Sequence, residues 1–135
     1  MSSNRVGIRG RVRLACRVWV LAVQVAVGLR REPLPELVRG YSRSAARRQQ
    51  RLPPWMLARA VDRALRVGRL RPRCIVNSLV LYRLLREQGD GAELVIGLPE
   101  QARDHLAHAW VELDGRDVGP PPGRGGHDAL ARFGA

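Results

Sequence analysis

Lysine is missing from this sequence. All 24 basic residues among its 135 are arginine, set against 12 acidic ones, for a formal net charge of +12. Such a balance ordinarily points to nucleic acid or a membrane surface. An all-arginine bias, however, reads as a GC-rich coding background rather than a surface selected for phosphate. Aromatic residues are scarce as well, at 4%, so a base-stacking platform has little to be built from. Nucleic acid is therefore not an expected partner.

Cysteine is nearly absent: Cys16 and Cys74 stand far apart. A small secreted domain carries more cysteines at regular spacings. Two free thiols in a reducing cytoplasm is the simpler reading, and it leaves a nucleophilic role open. The three histidines form no short pairing with either cysteine, so neither a structural zinc nor any other metal site is expected.

Long apolar runs are missing too. Residues 14–29, LACRVWVLAVQVAVGL, are interrupted by Arg17 and Gln24 and fall short of the roughly 20 apolar residues that span a bilayer. Arg17 inside the run, with no small-residue cleavage site after it, argues against a signal peptide. The expected state is a helix that is buried or faces a partner, with peripheral membrane contact as the alternative. Cys16 is expected to pack within it.

Hydrophobic residues nevertheless make up 45% of the chain, enough for one folded domain with an adequate core. After a basic lead-in over residues 1–13, the apolar helix is followed by breaks at Pro33 and Pro35 and an Arg-rich helical stretch over 36–51. Trp55, Leu57, Ala58, Val61, Ala64, Leu65 and Val67 recur at amphipathic helical spacing, with Gly68 as a stop. CIVNSLVLYRLLREQG, residues 74–89, is the strongest helical pattern and ends at the cap-like Gly89. AELVIGL, residues 92–98, and AHAWVEL, residues 107–113, then read as strands. Asp114-Gly115 is a hairpin signal leading into a third strand over 116–118, stopped by Gly119 and three prolines. The layout is α+β: a helical region over 1–68 and a core over 69–135, together one compact domain.

Cys74 stands at the start of the most regular helix, beside Arg71 and Arg73. Helix dipole, free amides and neighbouring cations all favour a thiolate there, and the same amides suit an oxyanion. His108 lies in a strand between Ala107 and Ala109, which leave its ring accessible. Cysteine and histidine partners of this kind meet in space, so their separation in sequence does not argue against a pair. A small buried cysteine and a structural histidine are the plain alternatives.

The series CIVNSLVLYRLLREQG, AELVIGL and HAWVELDG resembles the transglutaminase-like leader peptidase of lasso-peptide biosynthesis, the peptidase part of the B protein in its stand-alone form. The likeness is clear over roughly residues 70–118, and the ending ALARF fits more loosely. The resemblance implies a papain-like or transglutaminase-like core, in which a helix starting with the cysteine packs on a small antiparallel sheet bearing histidine and aspartate. It implies Cys74 as nucleophile, His108 as base, and no cofactor. It also implies three partners: a precursor peptide of leader plus core, a separate leader-binding protein, and an ATP-dependent macrolactam cyclase.

The orienting acid departs from the family pattern, since Gly119-Pro120-Pro121 stands about where the family has aspartate. With Asp114-Gly115 as a two-residue turn, Leu113 faces Arg116, Glu112 faces Asp117 and His108 faces Pro121. Asp117 is then the first candidate, on the right face but about 13 Å along the strand. A bulge would shift that register, and Asp128 is a second candidate if the tail folds back. Asn77, Ser78, His105 and Trp110 are the expected substrate contacts, with core packing as the alternative for Trp110. Glu112 is expected to be solvated, and His127, in a Gly-rich tail, to be inert. The protein is expected in the cytoplasm, or peripheral to the membrane. The rival expectation is a non-catalytic basic adaptor that binds a peptide, nucleic acid or membrane surface.

Overall fold

The computed structural model describes residues 7–42, 52–66, 74–99, 107–120, 124 and 126–134. In chain order it contains α1 (Ile8–Arg31), α2 (Leu34–Ser42), α3 (Pro54–Leu65), α4 (Cys74–Glu87), β1 (Ala92–Pro99), β2 (His108–Leu113), β3 (Arg116–Gly119) and β4 (His127–Phe133). The strands form one antiparallel sheet in the order β3-β2-β1-β4. Helices first and an antiparallel sheet afterwards confirm the α+β layout. The tail supplies a fourth strand where only three were expected.

Helix α1 is longer than its apolar run, and is long and apolar enough to cross a membrane by length and composition. One face, Val18, Leu21, Ala22 and Val25, is buried against the protein, while Val12, Trp19, Val20, Val23 and Val27 remain exposed. Cys16 also faces solvent, which corrects its expected packing role. Arg17, the interruption in the run, has a specific partner. Its guanidinium donates to Glu87 at 2.6 Å, and Glu87 is otherwise buried at the end of α4. Arg83, one turn before Glu87, donates to Gln24 of α1 and lies over the Tyr41 ring of α2 at 4.8 Å. Burial raises the Tyr41 hydroxyl above its ordinary pKa of 10.0, and the Arg83 charge opposes that rise.

Helix α4 is central. Leu79, Val80, Leu81, Tyr82, Leu84 and Leu85 are all buried, and they share one apolar cluster with α1, α3 and one face of the sheet. The helix ends at Gly89 with φ 93°, a left-handed position that glycine adopts without strain. The chain reverses there and returns at once as β1. Ala92, Leu94, Ala109 and Val111 face α4 in that cluster. Alternation along the strands puts Val95 and Trp110, both fully buried, on the opposite face.

The β2–β3 hairpin has the expected register for its first two pairs, Leu113 with Arg116 and Glu112 with Asp117. Asp114 and Gly115 both have positive φ, 52° and 76°, as a two-residue turn matching strand twist requires. One pair further on, the alignment departs from the simple count. A bulge sets Val111 opposite Gly119 instead of Val118.

Candidate active site

The short link from α4 to β1 makes the two run antiparallel, so the N-terminus of α4 lies over the far end of β1. Gly97 and Pro99 occupy that end, paired with His108 of β2 and His127 of β4 respectively. Two contacts fix the direction. The buried Ser78 hydroxyl donates to the Ala109 carbonyl at 2.9 Å. One turn later, Tyr82 lies where a side chain on Gly134 would fall, beyond the opposite end of β4. Cys74, one turn before Ser78, is therefore carried to the His108 end of the sheet. It is half-buried and packs against the apolar cluster. The first amides of α4 have no helical acceptor and are directed toward this end.

His108 is the first residue of β2, and its ring points to the face that α4 does not cover. It lies near the Trp110 ring, 6.1 Å between centroids, and against the His127 ring at 4.9 Å. Trp110 and His127 are in turn 6.3 Å apart. Gly97 makes this cluster possible. A Cβ there would stand 2.5 Å from the Trp110 ring and 2.6 Å from the Asp128 carbonyl. Only glycine lets the indole and the β4 backbone close over β1.

His127 lies in β4, half-buried in this cluster, where a Gly-rich tail was expected. Its Nδ1 lies 2.7 Å from the Arg124 carbonyl, so that nitrogen carries the proton and donates, leaving Nε2 with the lone pair in the neutral ring. The signal in the sequence was weak. Sequence separation from HAW hid the partnership, since β4 reaches His108 only by pairing with β1.

Asp117 sits where the hairpin count put it, opposite Glu112. Its carboxylate accepts from the Gly119 amide at 2.8 Å and the Arg124 amide at 2.6 Å, and these bonds hold the turn before β4. The structure does not bring it to the imidazole of His108. The tail does fold back, but Asp128 is exposed and alternates away from His127.

Glu112 departs from its expected solvated role. It is 2% exposed and ion-paired to Arg132 of β4. That bond raises the Arg132 pKa and keeps it charged, with Glu93 as a second, weaker partner.

The expected substrate contacts divide. Ser78 is fully buried with its proton committed to Ala109, so it locks the helix to the strand instead of facing a ligand. Asn77 is half-buried, and its Oδ1 has no hydrogen-bond partner among the described residues. The Trp110 indole N–H is likewise buried and unpartnered among them. Trp110 therefore serves as core while bordering His108. His105, Arg71 and Arg73 lie outside the described residues. Among the described residues, no group of three or more His, Cys, Asp or Glu side chains could hold a metal ion.

A sequence model described as the transglutaminase-like superfamily matches residues 11–132. No curated protein and no solved structure matches the chain significantly.

Proposed function

Because the chain belongs to the transglutaminase-like superfamily, we propose that it is a cysteine peptidase removing the leader from a ribosomally made lasso-peptide precursor. One observation carries this reading most. The Ser78–Ala109 hydrogen bond ties the helix that begins with Cys74 to the strand that begins with His108, which supports a pairing of these two residues at one end of the sheet.

In this mechanism His108 takes the proton of the Cys74 thiol, and the thiolate attacks the carbonyl carbon of the leader–core peptide bond. Amides of the first turn of α4 stabilise the resulting oxyanion. The tetrahedral intermediate collapses as the imidazolium gives its proton to the leaving amine, which frees the core peptide. The leader stays as a thioester on Cys74. Water, deprotonated by His108, then releases the leader as a carboxylate and restores the thiol. The reaction requires the imidazole, which points to the face that α4 does not cover, to reach Cys74 around the strand end beside Ala107.

The partners are those that the family resemblance implies. A separate leader-binding protein presents the precursor, and an ATP-dependent macrolactam cyclase uses the freed amine. Neither nucleic acid nor a cofactor takes part in this reading, and the reaction is placed in the cytoplasm or at the periphery of the membrane. The arginine-rich surface suits an acidic leader or carrier, and precursor binding should weaken as salt rises.

The test is mass spectrometry of the chain incubated with precursor and leader-binding protein, beside a Cys74→Ala variant. Leader release by the wild type alone supports the reading. Equal precursor binding without cleavage by either protein rejects it in favour of a basic adaptor, the reading favoured by Gly119-Pro120 where an orienting acid was expected. Transfer of the leader to an added amine in preference to water would instead mark an amidating transferase.

A further inference from the structure

We propose that the outward face of α1 docks on an anionic phospholipid bilayer, with the helix lying flat on the surface while its other face stays in the protein core. The inference is independent of the peptidase reading and concerns where the protein works. The helix has one covered and one uncovered apolar side. Val18, Leu21, Ala22 and Val25 are buried. Val12, Cys16, Trp19, Val20, Val23 and Val27 are exposed, and at 3.6 residues per turn these six fall within about a third of the helix circumference. Val12 and Val23 are 57% and 60% exposed, so most of each side chain stands in water. Single exposed apolar residues are ordinary on a protein surface, whereas a contiguous stripe marks an interaction site. From Val12 to Val27 this stripe runs about 22 Å.

Charge identifies the occupant. Helix α1 contains no acidic residue. Arg9 and Arg13 stand at one end of the stripe and Arg30 and Arg31 at the other, all exposed. A second copy laid stripe against stripe would set arginine against arginine in either orientation. A nucleic acid would find no partner along the uncharged middle. An anionic bilayer suits both parts: the valines enter the boundary between headgroups and acyl chains, and the arginine side chains reach back to lipid phosphates. Trp19, midway along the stripe, belongs at the same depth. The helix lies on the bilayer and does not cross it, although its length would suffice. Crossing would strip Arg17 from Glu87 and Gln24 from Arg83, and would pull Leu21 and Val25 out of the core.

The experiment is flotation of the full chain with vesicles of phosphatidylcholine alone, or of phosphatidylcholine mixed with phosphatidylglycerol. Wild type is compared with two double variants, Val20→Gln, Val23→Gln and Arg30→Gln, Arg31→Gln. All four positions are exposed, and circular dichroism melting checks that each protein is folded. Wild type should float with the anionic vesicles only, and rising salt should release it. The valine variant should lose binding. The arginine variant should bind at least about fivefold more weakly. In a Cys74→Ala background, an environment-sensitive dye on Cys16 should brighten and shift to the blue when anionic vesicles are added, since the stripe carries it into the bilayer surface. Folded wild type that floats with neither vesicle overturns the inference, and capture of the leader-binding protein by the same valines would then assign the face to that protein. Equal flotation with both vesicle types removes the role of the arginines and overturns it too. Binding that alkaline carbonate does not release marks a spanning helix, and a dimer that the valine variant abolishes assigns the face to a second copy. Either result also rejects the proposal.

Discussion

The Ser78 hydroxyl donates to the carbonyl of Ala109 at 2.9 Å inside a buried contact between α4 and β2. Replacing Ser78 by alanine removes the donor and leaves a small gap, at a cost of about 1–2 kcal/mol. The measured consequence should be a fall of a few degrees in melting temperature. Cys74 alkylation should slow beyond what the small unfolded fraction explains. Unchanged reactivity in a folded Ser78→Ala protein would show that this bond does not set the position of Cys74.

Arg17 and Glu87 form a part-buried pair, with side chains 26% and 5% exposed. Removing only the arginine leaves a buried carboxylate that Arg83, 3.5 Å from the same oxygen, compensates in part. Arg17→Ala should cost about 2–3 kcal/mol in urea unfolding. The double variant Arg17→Met, Glu87→Leu should recover most of it, because a buried pair is often replaceable by apolar packing of similar volume. A double variant less stable than the single one contradicts this.

Gly97→Ala should be costly out of proportion to one methyl group. The added carbon meets the Trp110 ring and the Asp128 carbonyl, neither of which can move without shifting β2 or β4. Overpacking of this kind costs about 1–3 kcal/mol. A change in tryptophan fluorescence, from Trp110, should accompany it. A stable variant with native fluorescence would mean that the approach is looser than the distances state.

Tyr41 should titrate above its ordinary 10.0, in ultraviolet absorbance compared with a Tyr41→Phe variant. The folded state holds the phenol proton more tightly than the unfolded chain does. This group's contribution to stability is therefore complete below pH 10 and is lost as pH rises through the folded value. Tyr41→Phe should make stability less dependent on alkaline pH. The same alkaline slope in both proteins would sink the assignment.

Much of the site was legible because its parts are local. A helix beginning at Cys74, a strand beginning at His108 and the Asp114-Gly115 turn each follow from spacing and turn chemistry over a few residues. β4 was hidden for a physical reason. HDALARF is an edge strand with mostly exposed side chains, lacking the β-branched residues and clean alternation that mark a strand in sequence. The fate of Glu112 was hidden in the same way, since its partner Arg132 stands on that unrecognised strand.

The sequence by itself determined the helix that starts at Cys74, the segments of β1 and β2, the Asp114-Gly115 turn with its pairing of Glu112 and Asp117, and the family resemblance carried by the cysteine and HAW segments. These depend on periodicity and on turns, which are properties of neighbouring residues. Only the tertiary structure decided that His127 lies against His108, that Asp117 holds a turn instead of an imidazole, and that Arg17 answers Glu87. Those relations arise where the tail pairs with β1 and where α1 packs on α4. Each depends on a register or a close approach between segments distant in the chain, and no local pattern encodes it.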